Sequence, residues 1–174
     1  MGINYGRKTY GKIELLQVSK QSNDVEVGNF CSIAQDVYAI VSGHNPNWVS
    51  TYPFSYKGFE KAKDITGHPR HYKLIIGNDV WIGRHSMFVG NVNVGDGAII
   101  GGGTVVRGNI EPYSIVIGNP SQFVKKRFSD EQIEKLLKIK WWNWSDKKIN
   151  NNVHLLYSDR IDEFINMHIG KINK

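Results

Sequence analysis

The stretch IGNDVWIGRHSMFVGNVNVGDGAIIGGGTVV, residues 76–106, divides into sixes. Ile76, Ile82, Phe88, Val94, Ile100 and Val106 open the sixes and are all apolar, while the fifth positions are mostly small (Val80, Ser86, Val92, Ala98 and Thr104). The phase extends upstream through VGNFCS, IAQDVY and AIVSGH, which open on Val27, Ile33 and Ala39, and downstream through VRGNIE, with Ile110 as its fifth residue. A period of six cannot keep one face of a helix with 3.6 residues per turn. It suits a short strand followed by a turn, with apolar side chains stacked coil upon coil. Second positions give the number of sides. Gly or Ala occupies 28, 34, 77, 83, 95 and 101, whereas Ile40, Val89 and Arg107 break the rule, each in the third six of its set. Three sixes therefore make one triangular coil, with one face under a rule of its own. The predicted fold is mainly β, a left-handed parallel β-helix.

The same phase accounts for a gap. AIVSGH closes a third face at His44 and IGNDVW opens a first face at Ile76, so 45–75 is an inserted loop that leaves the coil in register. A loop of this length inside a compact domain is functional or disordered as a rule. Its aromatics, Trp48, Tyr52, Phe54, Tyr56 and Phe59, argue against disorder. Beyond Pro120 the pattern changes. Ser129 is a plausible cap for a helix whose apolar Ile133, Leu136, Leu137 and Trp141 recur at helical spacing, and IDEFINMHIGK reads as a second short helix. The chain thus divides into a β-helix domain, 1–128, and a helical extension, 129–174, that caps or braces the prism.

With 174 residues the chain suits one domain with a small appendage. No segment approaches the roughly 18 consecutive apolar residues of a membrane span, and MGINYGRKTYGK lacks the apolar core of a signal peptide. A cytoplasmic protein with no membrane span is expected. A formal charge of +6 would suit nucleic acid or a polyanionic small molecule. The densest basic run is only Lys125, Lys126 and Arg127, and no nucleic-acid-binding signature accompanies it, so no nucleic-acid partner is expected. Cys31 occupies an inward fifth position, where packing rather than catalysis is its role.

Among the six histidines, His44 stands at the mouth of the loop between Gly43 and Asn45. An imidazole titrates near neutrality, so it can take a proton from a hydroxyl and return it to a leaving thiolate. His68, His71, His85, His154 and His168 lie in loop, coil or helical contexts. Together with His44 they also admit a zinc hydratase of the gamma carbonic anhydrase type, but no histidine pair on the coils has the spacing such a site needs. No metal is expected to be required. The glycine-lined IIGGGTVV, leading to Lys125, Lys126 and Arg127, would suit an extended ligand with an amide-rich arm and a phosphorylated head, the form of coenzyme A.

GNFCSIA, the histidine followed by STYPF, IIGNDVWIG, VGDGAIIGGGTVV, EPYSIVIGNP, KKRF and IKWWNW together resemble the hexapeptide-repeat acetyltransferases. Within that family they resemble the xenobiotic branch, which includes type B chloramphenicol and streptogramin acetyltransferases. The resemblance implies a homotrimer, acetyl-CoA as donor, and active sites in clefts between neighbouring prisms. It makes His44 the general base, places Trp81 beside the thioester and pantetheine arm, and lays the backbone groups of Gly101, Gly102 and Thr104 along that arm. It puts Lys125, Lys126 and Arg127 near the nucleotide phosphates, with Tyr52, and Trp48 beside it, on the acceptor side. NPNWV, between His44 and Ser50, departs from the antibiotic-modifying members, as do Gly101 and Gly102. The acceptor expected first is therefore a hydroxyl of a sugar or surface-polysaccharide precursor, and second a hydroxylated antibiotic. Transfer to an amino sugar and a catalytically silent trimeric scaffold are further alternatives.

Overall fold

The structure, a computed structural model, describes residues 3–16, 25–62 and 70–170. Its core is a stack of triangular coils whose strands pair in parallel from coil to coil. On the first face Tyr5 stacks on Val27, Val27 on Ile76, Ile76 on Val94, and Val94 on Ile110. The second face carries Ile33, Ile82, Ile100 and Val116. Leu15, Ala39, Phe88 and Val106 line the third. The residues that open the sixes are no more than 5% exposed, so the apolar column inferred from the repeat is the core. Each layer buries side chains from three directions, and that burial drives coil formation. The fold is the left-handed parallel β-helix.

Corners explain why the period is six. At two of the three corners the chain adopts left-handed φ once per coil: Phe30, Asp79, Gly97 and Tyr113 at the first, Asp36, His85 and Gly103 at the second. The third corner is different, carrying Gly90 and Gly108 at φ +84° and +69°. It is the side that the second-position rule sets apart. Here the last coil is also tightened. Val106 lies below Phe88, but Gly108 lies below Val92, so two residues are omitted and Ile110 takes the first-position slot under Val94. Counting in sixes makes Ile110 a fifth position; the turn at Gly108 shifts it.

The inserted loop also leaves from the third corner. Ile33 pairs with Ile82, 49 positions on, whereas Ile82 pairs with Ile100, 18 positions on, a difference equal to the 31 residues of 45–75. Its neck is a two-stranded antiparallel ribbon in which Ser42 faces His71 and Gly43 faces Arg70. The Tyr72 N–H donates to the Val41 carbonyl at 2.8 Å, and the chain rejoins the first face at Leu74. Inside the loop Tyr52, Phe54 and Phe59 form a ring cluster, with centroids 5.0 Å apart for the first pair and 5.1 Å for the second.

After the last coil, Gln122–Lys126 doubles back antiparallel on Ser114–Ile117 and so covers a strand edge that would otherwise be open. Three helices follow: α1 (Asp130–Ile139), α2 (Asp146–Leu156) and α3 (Ile161–Ile169). Ser129 caps α1 in a reciprocal capping box with Gln132. The second core contains Leu136, Trp142, Leu155 and Phe164 and lies against the first corner of the prism through Phe30 and Tyr113. At one end of that corner Arg7 donates to the carbonyls of Trp142 and Trp144, pairs with Asp146 at 2.6 Å and stacks on Phe30. At the other end Arg127 makes the connection. The extension therefore braces the corner from first coil to last. α2 has no counterpart in the sequence reading, because Asn150, Asn151 and Asn152 dilute its apolar periodicity.

Candidate active site

His44 follows the ribbon directly and is exposed. Its Nδ1 lies 2.6 Å from the Thr51 carbonyl oxygen. A carbonyl only accepts, so in the neutral ring Nδ1 carries the proton and Nε2 presents its lone pair outward. The loop thus fixes the tautomer of the imidazole at its own mouth. Sequence reasoning found the histidine but not this partner, since a backbone carbonyl leaves no mark in residue identity. Trp48 and Tyr52 lie beyond His44 on the loop, both more than two-fifths exposed, and Tyr52 belongs to the ring cluster.

A second group lies on the second face. Trp81 is an outward residue there, 56% exposed, flanked by Ser32 and Ile99 in the neighbouring coils. Beside it the backbones of the third and fourth coils pack directly on each other, and the Ile117 side chain of the fifth coil lies against Gly101. A Cβ on Gly83 would stand 2.5 Å from the Gly102 nitrogen, and one on Gly101 2.6 Å from Ile117 Cγ2. The Gly101 N–H is bonded to Val116 O and that of Gly103 to Arg84 O, with Gly102 exposed between them. Thr104 is fully buried with its side chain in the core, so of the three residues it is Gly101 and Gly102 that present accessible backbone on this face.

The basic run divides into three roles. Lys125 is exposed on the closing strand and has no ion-pair partner among the described residues. Lys126 is held by Asp130 at 2.7 Å and Glu111 at 3.5 Å. Arg127 is turned inward. It donates to Gly97 O at 2.7 Å, lies 3.5 Å from Asp79 and stacks on Tyr113 and Phe128. Burial pushes the Asp79 carboxyl up to about 6, with Arg127 opposing the shift, and pushes the Tyr113 hydroxyl well above its ordinary range. Of the three cations, Lys125 is therefore the one without an ion pair among the described residues, and Arg127 belongs to the brace.

His44 and the Trp81 face occupy different parts of the prism, and among the described residues no hydrogen bond or ring contact joins them. His71, His85 and His154 are exposed, and His168 is buried between Trp144 and Phe164; His68 lies outside the described residues. Among the described residues no three His, Cys, Asp or Glu side chains are grouped to hold a metal ion, and no helix is long and apolar enough to cross a membrane. Cys31 is buried, its Sγ donating to Gly77 O at 3.1 Å, and burial raises its pKa.

The repeat recurs in known proteins. The bacterial transferase hexapeptide family (six repeats) matches residues 73–108. A hexapeptide-repeat-containing acetyltransferase of Vibrio cholerae O1 biovar eltor, solved in complex with acetyl coenzyme A, superimposes with a TM-score of 0.53. It is 16% identical, and the match covers 73% of this chain and 61% of that one. That likeness is one of fold. A probable macrolide acetyltransferase of Lysinibacillus sphaericus is 45% identical over 148 residues, 82% of each chain. A chloramphenicol acetyltransferase of Klebsiella aerogenes is 41% identical over 140 residues, 78% of this chain and 67% of that one. The chain belongs to the hexapeptide-repeat acetyltransferases, in their xenobiotic branch.

Proposed function

We propose that the protein transfers the acetyl group of acetyl-CoA to a hydroxyl of an antibiotic-type acceptor, with His44 as general base. The observation that carries the chemistry is the Thr51 carbonyl on His44 Nδ1, which leaves Nε2 as the proton acceptor. Nε2 takes the proton of the acceptor hydroxyl as its oxygen attacks the thioester carbonyl carbon. When the carbon–sulfur bond breaks, the imidazolium returns that proton to the departing thiolate, giving the acetyl ester and free CoA. No acyl-enzyme is involved.

The acceptor reading moves away from a sugar precursor. Relatives named for macrolide and chloramphenicol acetylation favour the antibiotic. So does the acceptor side, where Trp48, Val49, Tyr52, Phe54 and Phe59 expose a run of apolar surface suited to a lipophilic molecule. The donor lies along Trp81, Gly101 and Gly102 with its phosphates toward Lys125. Because one chain holds the base and the donor face apart, the reading includes a homotrimer in which His44 of one prism faces the donor face of its neighbour.

A screen of thiol release from acetyl-CoA with chloramphenicol, macrolides, streptogramins and sugars tests the acceptor. Turnover is expected with at least one antibiotic class, and turnover confined to sugars would restore the sugar-precursor reading. Lys125→Ala is expected to raise the apparent KM for acetyl-CoA roughly five- to tenfold with kcat little changed, as for the loss of one charged contact to phosphate. An unchanged KM would remove Lys125 from the donor site.

A further inference from the structure

The solenoid ends on an unfinished level. Gln122–Lys126 pairs with Ser114–Ile117 in a register that sets Phe123 beside Val116 and Lys126 beside Ser114. Val116 and Ser114 are buried, and cross-strand partners share a side, so Phe123 and Lys126 lie on the inner side of the closing strand and Lys125 on the outer. Phe123 thus extends the column of Ile33, Ile82, Ile100 and Val116 by one level. Among the described residues neither the first face nor the third has a strand at that level, so Phe123 is 59% exposed where its predecessors are no more than 3%. The open side is a hollow of about 530 Å³ at the end of the prism, underlain by Ile110 and Val116 and rimmed by Arg107, Asn109, Ser121 and Lys126.

Phe123 makes no ring contact among the described residues, so its ring is free to receive another. Lys126 is neutralised by Asp130 at 2.7 Å and Glu111 at 3.5 Å, whereas Arg107 is exposed and has no ion-pair partner among the described residues. We propose that this hollow binds a small aromatic carboxylate, its ring against Phe123 and its carboxylate on Arg107. A guanidinium presents two parallel N–H donors that match the two oxygens of a carboxylate. One unpaired cation, with the Glu111 carboxylate also in the lining, suits a single negative charge better than a phosphate dianion. The free ring favours a flat body in offset or edge-on packing, and Asn109 and Ser121 can hydrogen-bond a ring substituent. The volume falls within the range of small-molecule sites. The proposed donor path runs on the outer side of the second face, and prisms packed side by side leave their ends open, so the site stands whether or not His44 is the base.

Benzoate is a suitable probe, with benzamide as its neutral counterpart and cyclohexanecarboxylate as the control without an aromatic ring, titrated into the full-length isotope-labelled protein and followed by NMR. Saturable shifts of the backbone amides at 107, 109, 121 and 123 are expected with benzoate, and weaker binding of both controls. Arg107→Gln should weaken benzoate binding roughly tenfold, the loss of a charge-assisted pair, and leave benzamide binding nearly unchanged. Phe123→Ser should erase the preference for benzoate over cyclohexanecarboxylate. Both side chains are exposed, so an unchanged unfolding temperature is the control on the same preparations. Saturating acetyl-CoA should leave the benzoate shifts in place. The absence of saturable shifts at those amides, tighter binding of adenosine monophosphate than of benzoate, displacement of benzoate by acetyl-CoA, or an unchanged affinity in the Arg107→Gln variant would each overturn the proposal.

Discussion

Replacing His44 with alanine is expected to lower the rate of acetyl transfer by about two to four orders of magnitude, the usual contribution of a positioned general base. The effect should fall on kcat, because under the proposed mechanism the imidazole acts in the transition state and contributes little to acetyl-CoA binding. Stability should barely change. His44 is exposed, and the one bond it makes, to Thr51 O, joins it to its own loop rather than to the solenoid core. Unfolding temperature and oligomer mass therefore serve as controls on the same preparation. Turnover within a few-fold of the parent would overturn the assignment. Mixing provides a second readout. If the base of one prism serves the donor face of its neighbour, co-assembly of His44→Ala with an inactive Trp81→Asp variant restores part of the activity, since some interfaces then join two intact halves. If each chain carried a complete site, no such mixture would recover.

The position of His44, the proposed base, was legible in the sequence for a reason that the corner geometry makes plain. Apolar residues every six positions fix the phase, the phase dates the exit of the loop, and a histidine at that exit is held by the solenoid whatever the loop beyond it contains. Gly101 and Gly102 were legible for a similar reason, since residues without Cβ atoms let neighbouring coils approach closely. Lys125, Lys126 and Arg127 were not separable. Lys125 and Lys126 alternate on the closing strand and Arg127 follows its end, so three cations in a row need not share a partner. Arg127 finds Asp79 and Gly97 across the corner, contacts that depend on the left-handed turn at Asp79 and cannot be read from spacing. The burial of Thr104 follows from the repeat itself: it is a fifth-position residue, and such positions face the core. The two-residue contraction at Gly108 broke the count of six because one left-handed glycine shortened a corner.

Removing Arg127 should have the largest effect on stability. Its guanidinium bonds to Gly97 O, pairs with Asp79 and stacks on Tyr113 and Phe128, joining the last coils to the helical extension. Arg127→Ala leaves Asp79 partly buried and uncompensated, a loss of about 3–5 kcal/mol at neutral pH for a pair of this kind. The pH dependence separates the charge from the packing. Burial outweighs the attraction of Arg127 and pushes the Asp79 carboxyl in the folded chain up to about 6, from 3.8 for a free carboxyl. The folded state thus binds the proton more tightly, and stability falls as pH rises from about 4 through about 6, by about 3 kcal/mol in total for this one group. Without Arg127 the carboxyl should titrate still higher, so the penalty of the substitution is largest at pH 8 and smaller at pH 5, where Asp79 is protonated in parent and variant alike. Denaturant unfolding of both proteins at the two pH values measures the difference. Adding Asp79→Asn should recover part of the loss at pH 8 and little at pH 5. An equal penalty at both values would mean that Arg127 holds the brace through Gly97 and its ring contacts alone, and a penalty below about 1 kcal/mol would mean that the extension is held without it.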